Sequence, residues 1–210
     1  MKLSIAEGLY LIALDDEEGR LLSAAERTII PGLISAAILE LHIHKRISLS
    51  DEGIKVEDLT GLGNGVLDKI LKKIRSGVGL IDQIETLAHD FKDLQTDIDE
   101  LLVHRGILKR EETKMLWIPL SERMGNANYA FEQEIRNAMH AIVFKKAKAP
   151  ASFVVLMSLI YDCKILDEVF SDKDDLIDAV KVAKDIVNSP QIDEPTSKAL
   201  KELRTYFANK

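Results

Sequence analysis

The sequence predicts a mainly α-helical fold, a single compact helical domain that spans residues 1–210. Apolar residues recur every three or four positions over most of the chain, and only two short segments alternate as strands do. The segment Pro31–Leu41 is apolar in nearly every direction of a helical projection. Such a helix is buried, so we expect a central helix over about residues 31–44 with the other helices packed around it.

The central helix has a favourable start and one charge. Pro31 suits the first turn, where its missing N–H costs nothing. At about 11 residues the apolar run is too short to span a bilayer. Glu40 is the charged residue within it, and a buried carboxylate needs a partner. We expect Glu40 to hydrogen-bond to backbone or to an arginine at the helix end, with a chemical role as the alternative.

The elements around the central helix have recognisable local signals. Ser4 and Glu7 form a capping-box pattern at the start of a helix over Ser4–Leu14. After the central helix, alternating apolar residues over about 46–57 predict a small β-hairpin. Asn64 is then placed to cap an amphipathic helix over Asn64–Ser76.

The second half of the chain is also mostly helical. Leu80–His104 has heptad spacing, and we predict a core-facing helix with a break near His89-Asp90. Gly106 occupies the position of a C-cap glycine. A second hairpin is predicted over about 107–118, with Lys109–Lys114 as its polar turn. Further helices are predicted over 127–146, 151–162, 165–170, 173–188 and 195–208.

The second hairpin is unusually rich in apolar residues. An alternating strand must send part of the run Met115, Leu116, Trp117 and Ile118 to each face. The hairpin either packs flat on the domain or projects and binds another molecule. We predict that it projects and forms a homo-oligomer, through a surface made of Leu108, Met115, Leu116, Trp117 and Ile118.

Composition excludes several classes of function. The net charge of −7 argues against a nucleic-acid partner, which requires a basic face. The single Cys163 cannot form an intrachain disulfide and offers no metal cluster. We find no nucleophile elbow, phosphate loop or HExxH pattern, so we expect no enzyme activity, no cofactor and no metal. The first residues do not resemble a signal peptide, and we expect a cytoplasmic protein, peripheral at a membrane if it binds lipid.

Five segments, in order and spacing, resemble the Golgi phosphoprotein 3 family over essentially the whole chain. They are LSIAEGLYLIALDDEEGRL (Leu3–Leu21), GLISAAILEL (Gly32–Leu41), KRISL (Lys45–Leu49), NGVLDKIL (Asn64–Leu71) and LLVHRGIL (Leu101–Leu108). The resemblance implies a compact, mostly helical domain with a protruding apolar hairpin. It also implies peripheral membrane binding through phosphatidylinositol 4-phosphate, contacts with membrane-protein tails, and self-association through the hairpin.

The family's headgroup pocket uses a tryptophan and three basic residues. By position these correspond to Ala25 for the tryptophan and to Ile34, Lys92 and Gln95 for the basic residues, of which Lys92 keeps its character. Arg27 could replace the missing arginine at the amino end of the central helix, where anions are favoured. The resemblance therefore implies a headgroup site formed by Arg27, Lys92 and Gln95.

Together these features favour one function over an alternative. The favoured function is peripheral binding of an acidic, phosphoinositide-like lipid headgroup, of membrane-protein tails, or of both. The alternative is a non-enzymatic interaction module that self-associates through the apolar hairpin and binds no lipid.

Overall fold

The computed structural model describes residues 3–15, 19–115, 118–145 and 147–210, without the side chains of 111–115, 118–123 and 126. The helices are α1 Ile5–Ile12, α2 Ile29–Ile43, α3 Gly65–Leu71, α4 Leu80–Asp90, α5 Leu94–His104, α6 Ala130–Phe144, α7 Ala151–Asp162, α8 Lys173–Asp185 and α9 Glu194–Phe207. The strands are β1 Ile47–Ser50, β2 Gly53–Val56, β3 Leu108–Met115 and β4 Ile118–Asn126. The mainly α-helical class with two small antiparallel hairpins is confirmed.

The α2 helix is the centre of the fold, as its apolar projection predicts. It packs against α1, α3, α4 and α7, and Ile34 and Ile38 on it are both fully buried. Gly32 lets α7 come close, because a Cβ at this position would lie 2.7 Å from the Cys163 sulfur. A stripe wide enough to meet four helices explains why nearly every face of α2 is apolar.

The start of α1 is fixed by a network of hydrogen bonds. The Ser4 side chain accepts from the Glu7 N–H at 3.1 Å and the Glu7 carboxylate accepts from the Ser4 N–H at 2.9 Å, which confirms the capping box. Glu40 of α2 accepts from the Ile5 N–H at 2.7 Å, the backbone partner expected for this carboxylate. Glu7 also pairs with Arg105 at 2.6 Å and accepts from Asn64 at 2.8 Å, so α1 is joined to α3 and to the end of α5.

The predicted long helix over Leu80–His104 is divided into α4 and α5 by a turn at residues 91–93, close to the expected break. Gly106 then ends α5 with a φ of 67°, and the Ile107 N–H bonds to the Leu102 carbonyl as in a Schellman motif. The predicted helix over 165–170 is wrong, because that segment forms turns. Its apolar periodicity reflects burial of Ile165 and Phe170 in the core, not helical hydrogen bonding.

The second hairpin is longer than the sequence predicts. Its strands pair from Leu108 with Asn126 to Met115 with Ile118, so Lys109–Lys114 is strand and the predicted turn there is wrong. Charged residues are tolerated in a two-stranded ribbon because its faces can both meet solvent. Leu116 and Trp117 lie outside the described residues.

Candidate anion-binding pocket

A pocket of about 400 Å³ lies where the end of α1, the loop from α1 to α2, the start of α5 and the base of the second hairpin meet. Its apolar lining includes Leu14, Leu21 and Met124. Its polar lining consists of Tyr10, Arg20, Gln95, Thr96, Asp99 and Arg110. The pocket therefore combines an apolar wall with hydrogen-bond donors of both charged and neutral kinds, as ligand sites usually do.

The loop after α1 is held in place by backbone hydrogen bonds. Leu14 and Leu21 form an isolated antiparallel bridge, and the Asp15 N–H donates to the Arg20 carbonyl at 2.8 Å. Gly19 has a φ of 60°, and a Cβ at this position would collide with the Met124 carbonyl of β4. Only glycine permits this approach, in which the Met124 N–H donates to the Gly19 carbonyl at 3.0 Å. The Gly19 contact thus closes the loop against the hairpin and sets Arg20 at the pocket.

Two arginines give the pocket its positive charge. Arg20 comes from the loop after α1, whereas Arg110 comes from β3 and is 50% exposed. Arg110 also faces Glu100 at 3.8 Å, and such an exposed ion pair contributes little free energy. A guanidinium donates a planar fork of hydrogen bonds, which matches phosphate and carboxylate oxygens. Gln95 and Thr96 on α5 add neutral polar groups.

A buried tyrosine and a carboxylate also line the pocket. Tyr10 on α1 is only 3% exposed, and its side chain lies next to Asp99 of α5. Burial raises the pKa of Tyr10, and the charge of Asp99 raises it further. Burial also raises the pKa of Asp99, although the Tyr10 hydroxyl and the Arg110 charge oppose this effect. Within the described part of the chain, the buried Oδ1 of Asp99 meets no hydrogen-bond donor.

Of the three residues predicted for a headgroup site, only one lines this pocket. Gln95 lines the pocket, but Arg27 and Lys92 are not among the lining residues. Arg27 is exposed in the turn before α2, and Lys92 is exposed in the turn between α4 and α5. The positions of Ala25 and Ile34 are fully buried. Sequence reasoning missed Arg20 and Arg110. Arg20 lies in the family segment Leu3–Leu21 but not at a position of the family's headgroup site, Arg110 lies outside the five segments, and only the fold brings them together.

A second cavity, of about 500 Å³, has the opposite electrostatic character. It lies between the first hairpin and α9, and its lining includes the carboxylates of Asp51, Glu194 and Glu202. Lys198 lies 3.6 Å from Asp51 and 3.4 Å from Glu194, so its positive charge is already paired. An anion would be repelled here, so of these two cavities the arginine-lined pocket is the better anion site.

Two further features bear on chemistry: the cysteine thiol and the grouping of possible metal ligands. Burial raises the pKa of the fully buried Cys163 thiol to about 12, so this thiol is not a nucleophile at neutral pH. Among the described side chains, no three His, Cys, Asp or Glu residues are grouped so that they could hold a metal ion. Over the same part of the chain, no helix combines the length and the apolar character needed to cross a membrane.

Leu108 is the one residue of the predicted self-association surface whose side chain the structure describes. It is 3% exposed and packs in the domain's own core, so it is not available to a partner in this conformation. Met115 and Ile118 are described only as backbone, and Leu116 and Trp117 are outside the described residues. Self-association through the rest of this surface stays a prediction.

The fold and the pocket define the class of this protein as a mainly α-helical domain with an arginine-lined surface pocket. The chain belongs to the Golgi phosphoprotein 3 (GPP34) family, whose family model matches residues 5–205. This match confirms the resemblance found in the sequence segments. A comparison with individual curated proteins gave no match.

Proposed function

We propose that this protein is a non-enzymatic peripheral binding protein that takes an acidic lipid headgroup in the pocket lined by Arg20 and Arg110. Membership of the Golgi phosphoprotein 3 family suggests phosphoinositide binding and peripheral association in general. The observation that supports this particular site is the convergence of two arginines, far apart in the sequence, on one cavity.

The chemistry of the pocket suits a phosphate better than a diffuse anionic surface. With a net charge of −7, the chain as a whole is repelled by anionic membrane, so attraction must come from a local site. Two guanidinium groups can share the oxygens of one phosphate, and hydrogen bonds between charged groups are the strongest of their kind. The volume of about 400 Å³ falls in the usual range for small-ligand sites.

The proposal extends to partners at the membrane. Once the headgroup holds the domain at a bilayer, tails of membrane proteins are within reach, as the family resemblance implies. Self-association through the second hairpin would strengthen such binding, because two linked sites engage one surface more tightly than one site does.

Vesicle co-sedimentation tests the proposal with a matched pair of variants. Phosphatidylcholine vesicles carrying phosphatidylinositol 4-phosphate are compared with vesicles of equal charge carrying phosphatidylserine. The pocket variant is Arg20→Ala with Arg110→Ala, and the control is Arg27→Ala with Lys92→Ala, which removes the same charge outside the pocket. At about 1 kcal/mol for each basic residue, the pocket variant should bind roughly thirtyfold more weakly.

The control decides between the pocket and the site implied by family position. We expect the Arg27 and Lys92 variant to keep most of its affinity for phosphatidylinositol 4-phosphate. If this variant loses binding while the pocket variant keeps it, the headgroup lies at Arg27 and Lys92 and the pocket proposal is wrong. If the parent protein binds neither kind of vesicle, the lipid proposal fails and the interaction-module alternative is favoured.

A further inference from the structure

We propose that the second cavity, between the first hairpin and α9, binds a linear polyamine, an aliphatic chain that carries several ammonium groups. The volume of about 500 Å³ is typical of sites for small ligands. Among the described residues, this cavity and the arginine-lined pocket share no lining residue. The inference is therefore independent of the proposed function.

Part of the lining of this cavity is apolar and comes from three elements. Leu49 and Ile54 belong to the first hairpin, Leu80 to the start of α4, and Pro195 and Ala199 to α9. Ile54, Leu80 and Ala199 also belong to the core, so this part of the wall is held in place by packing. Such a surface can cover the methylene groups of an aliphatic amine, as apolar surfaces cover the stems of lysine side chains.

The acidic groups of the cavity are spread along its length. Glu194 and Glu202 both line it from α9, and they are eight residues apart, which is about 12 Å along a helix axis. Asp51 lines it from the hairpin. Among the described residues, no three His, Cys, Asp or Glu side chains are close enough to hold a metal ion together. A linear cation with separated charges therefore fits this distribution better than a metal ion does.

The cavity already holds one ammonium group, that of Lys198. Its Nζ atom lies 3.6 Å from the Asp51 carboxylate and 3.4 Å from the Glu194 carboxylate. The charge of Asp51 and the contact with Glu194 both raise the pKa of Lys198. Of the described residues that line the cavity, Lys198 is the sole basic one. One protein cation thus serves three lining carboxylates, and its contacts show how an ammonium group is held there.

The third lining carboxylate, Glu202, faces a like charge where a basic partner would stabilise it. Burial raises the pKa of Glu202, and the charge of Asp82 on α4 raises it further. The Asp82 carboxylate lies at the edge of the cavity, 3.8 Å from where a Cβ on the lining residue Gly79 would be. An ammonium group near both carboxylates would relieve their repulsion. A polyamine can supply this group while its other end reaches the two carboxylates at Lys198.

Calorimetric titration of the full chain with spermidine at low salt tests the proposal. We expect the parent protein to bind spermidine more tightly than butylamine, which has an aliphatic chain but a single ammonium group. Glu202→Gln combined with Asp51→Asn should weaken spermidine binding about tenfold, because an ion pair is lost at each end of the ligand. Lys198→Met removes the competing ammonium group and should tighten spermidine binding. The matched control is Glu134→Gln, at an exposed position of α6, which should leave the affinity unchanged.

Four outcomes would overturn the inference. The first is a parent protein that does not bind spermidine. The second is an equal loss of affinity in the Glu134→Gln control, which would reduce the effect to net charge. The third is equal affinity for Mg²⁺ at matched ionic strength, which would indicate a diffuse counter-ion field. The fourth is tighter binding of a tetralysine peptide that Glu202→Gln abolishes, which would assign the cavity to a basic peptide. Melting temperatures of all variants show that each one is folded, and weaker binding by Lys198→Met would also contradict the proposed competition.

Discussion

Replacement of Glu40 by Gln should remove a large part of the pH dependence of folding stability. Glu40 lies in the last turn of α2 and accepts from the Ile5 N–H at the start of α1. Burial raises its pKa from 4.5 to about 7, and the Glu7 charge adds to this effect, while the Ile5 N–H opposes it. Arg105 pairs with Glu7, so its positive charge is already engaged next to Glu40.

The sign and size of the effect follow from linkage. The folded protein holds the Glu40 proton more tightly than the unfolded chain does, so the stabilisation is complete below pH 4.5. It is lost as the pH rises through about 7. At 1.36 kcal/mol for each pH unit, the full loss is about 3 kcal/mol, and most of it falls between pH 5 and pH 8.

Urea denaturation of the parent and of Glu40→Gln at these two pH values measures the effect. The Gln side chain is neutral at both pH values and keeps an acceptor oxygen for the Ile5 N–H. The free energy of unfolding of the Glu40→Gln variant should therefore change less with pH than that of the parent. Burial also raises the pKa of Asp162, to about 6, but this group titrates in both proteins and cancels in the comparison. Equal pH dependence in the two proteins would refute the reasoning and show that the Glu40 carboxyl titrates normally.

Three further predictions concern the core, a buried ion pair and the second hairpin. Ile38→Asp places a charge at a fully buried position and should prevent folding, so a variant with an unchanged melting temperature by circular dichroism would contradict the central position of α2. Arg204→Ala removes the partner of the buried Asp162, 3.1 Å away, and should cost about 3 to 5 kcal/mol in urea denaturation. The control is Lys201→Ala, at an exposed position of the same helix, α9. An equal loss of stability in this control would show that the substitution acts through the helix and not through the Arg204–Asp162 pair. We expect the parent protein to form an oligomer and Trp117→Ser to shift it toward monomer in sedimentation velocity. If the parent and the variant both sediment as monomers, self-association through this hairpin is ruled out.

Local signals predict the local structure well. Ser4 and Glu7 form a capping box, Asn64 caps α3 by accepting from two backbone N–H groups, and Gly106 ends α5 with a positive φ. Each of these outcomes depends on residues within one or two turns of the chain, so the sequence contains the information that decides them. The central position of α2 is also predictable, because a helix that is apolar all round has to be covered on every side.

The second hairpin and the segment 165–170 depend on contacts that the local sequence does not contain. Lys109–Lys114 has the polarity of a turn, but it pairs with β4 to form one ribbon. The apolar residues of 165–170 pack in the core as turns because α7 ends just before them, with Lys164 at a φ of 64°. Strand pairing and core packing override local preference in both cases.

The sequence by itself determined the fold class and most of the order of the elements, because hydrophobic period and helix caps act over a few residues. The family was indicated separately, by the resemblance of five segments of the sequence. Family position also indicated Gln95, which lines the pocket. Only the tertiary structure decided that Arg20, Asp99 and Arg110 share this pocket with the buried Tyr10. The physical reason is that the close approach at Gly19, where the loop after α1 meets β4, joins parts of the chain that no sequence period connects.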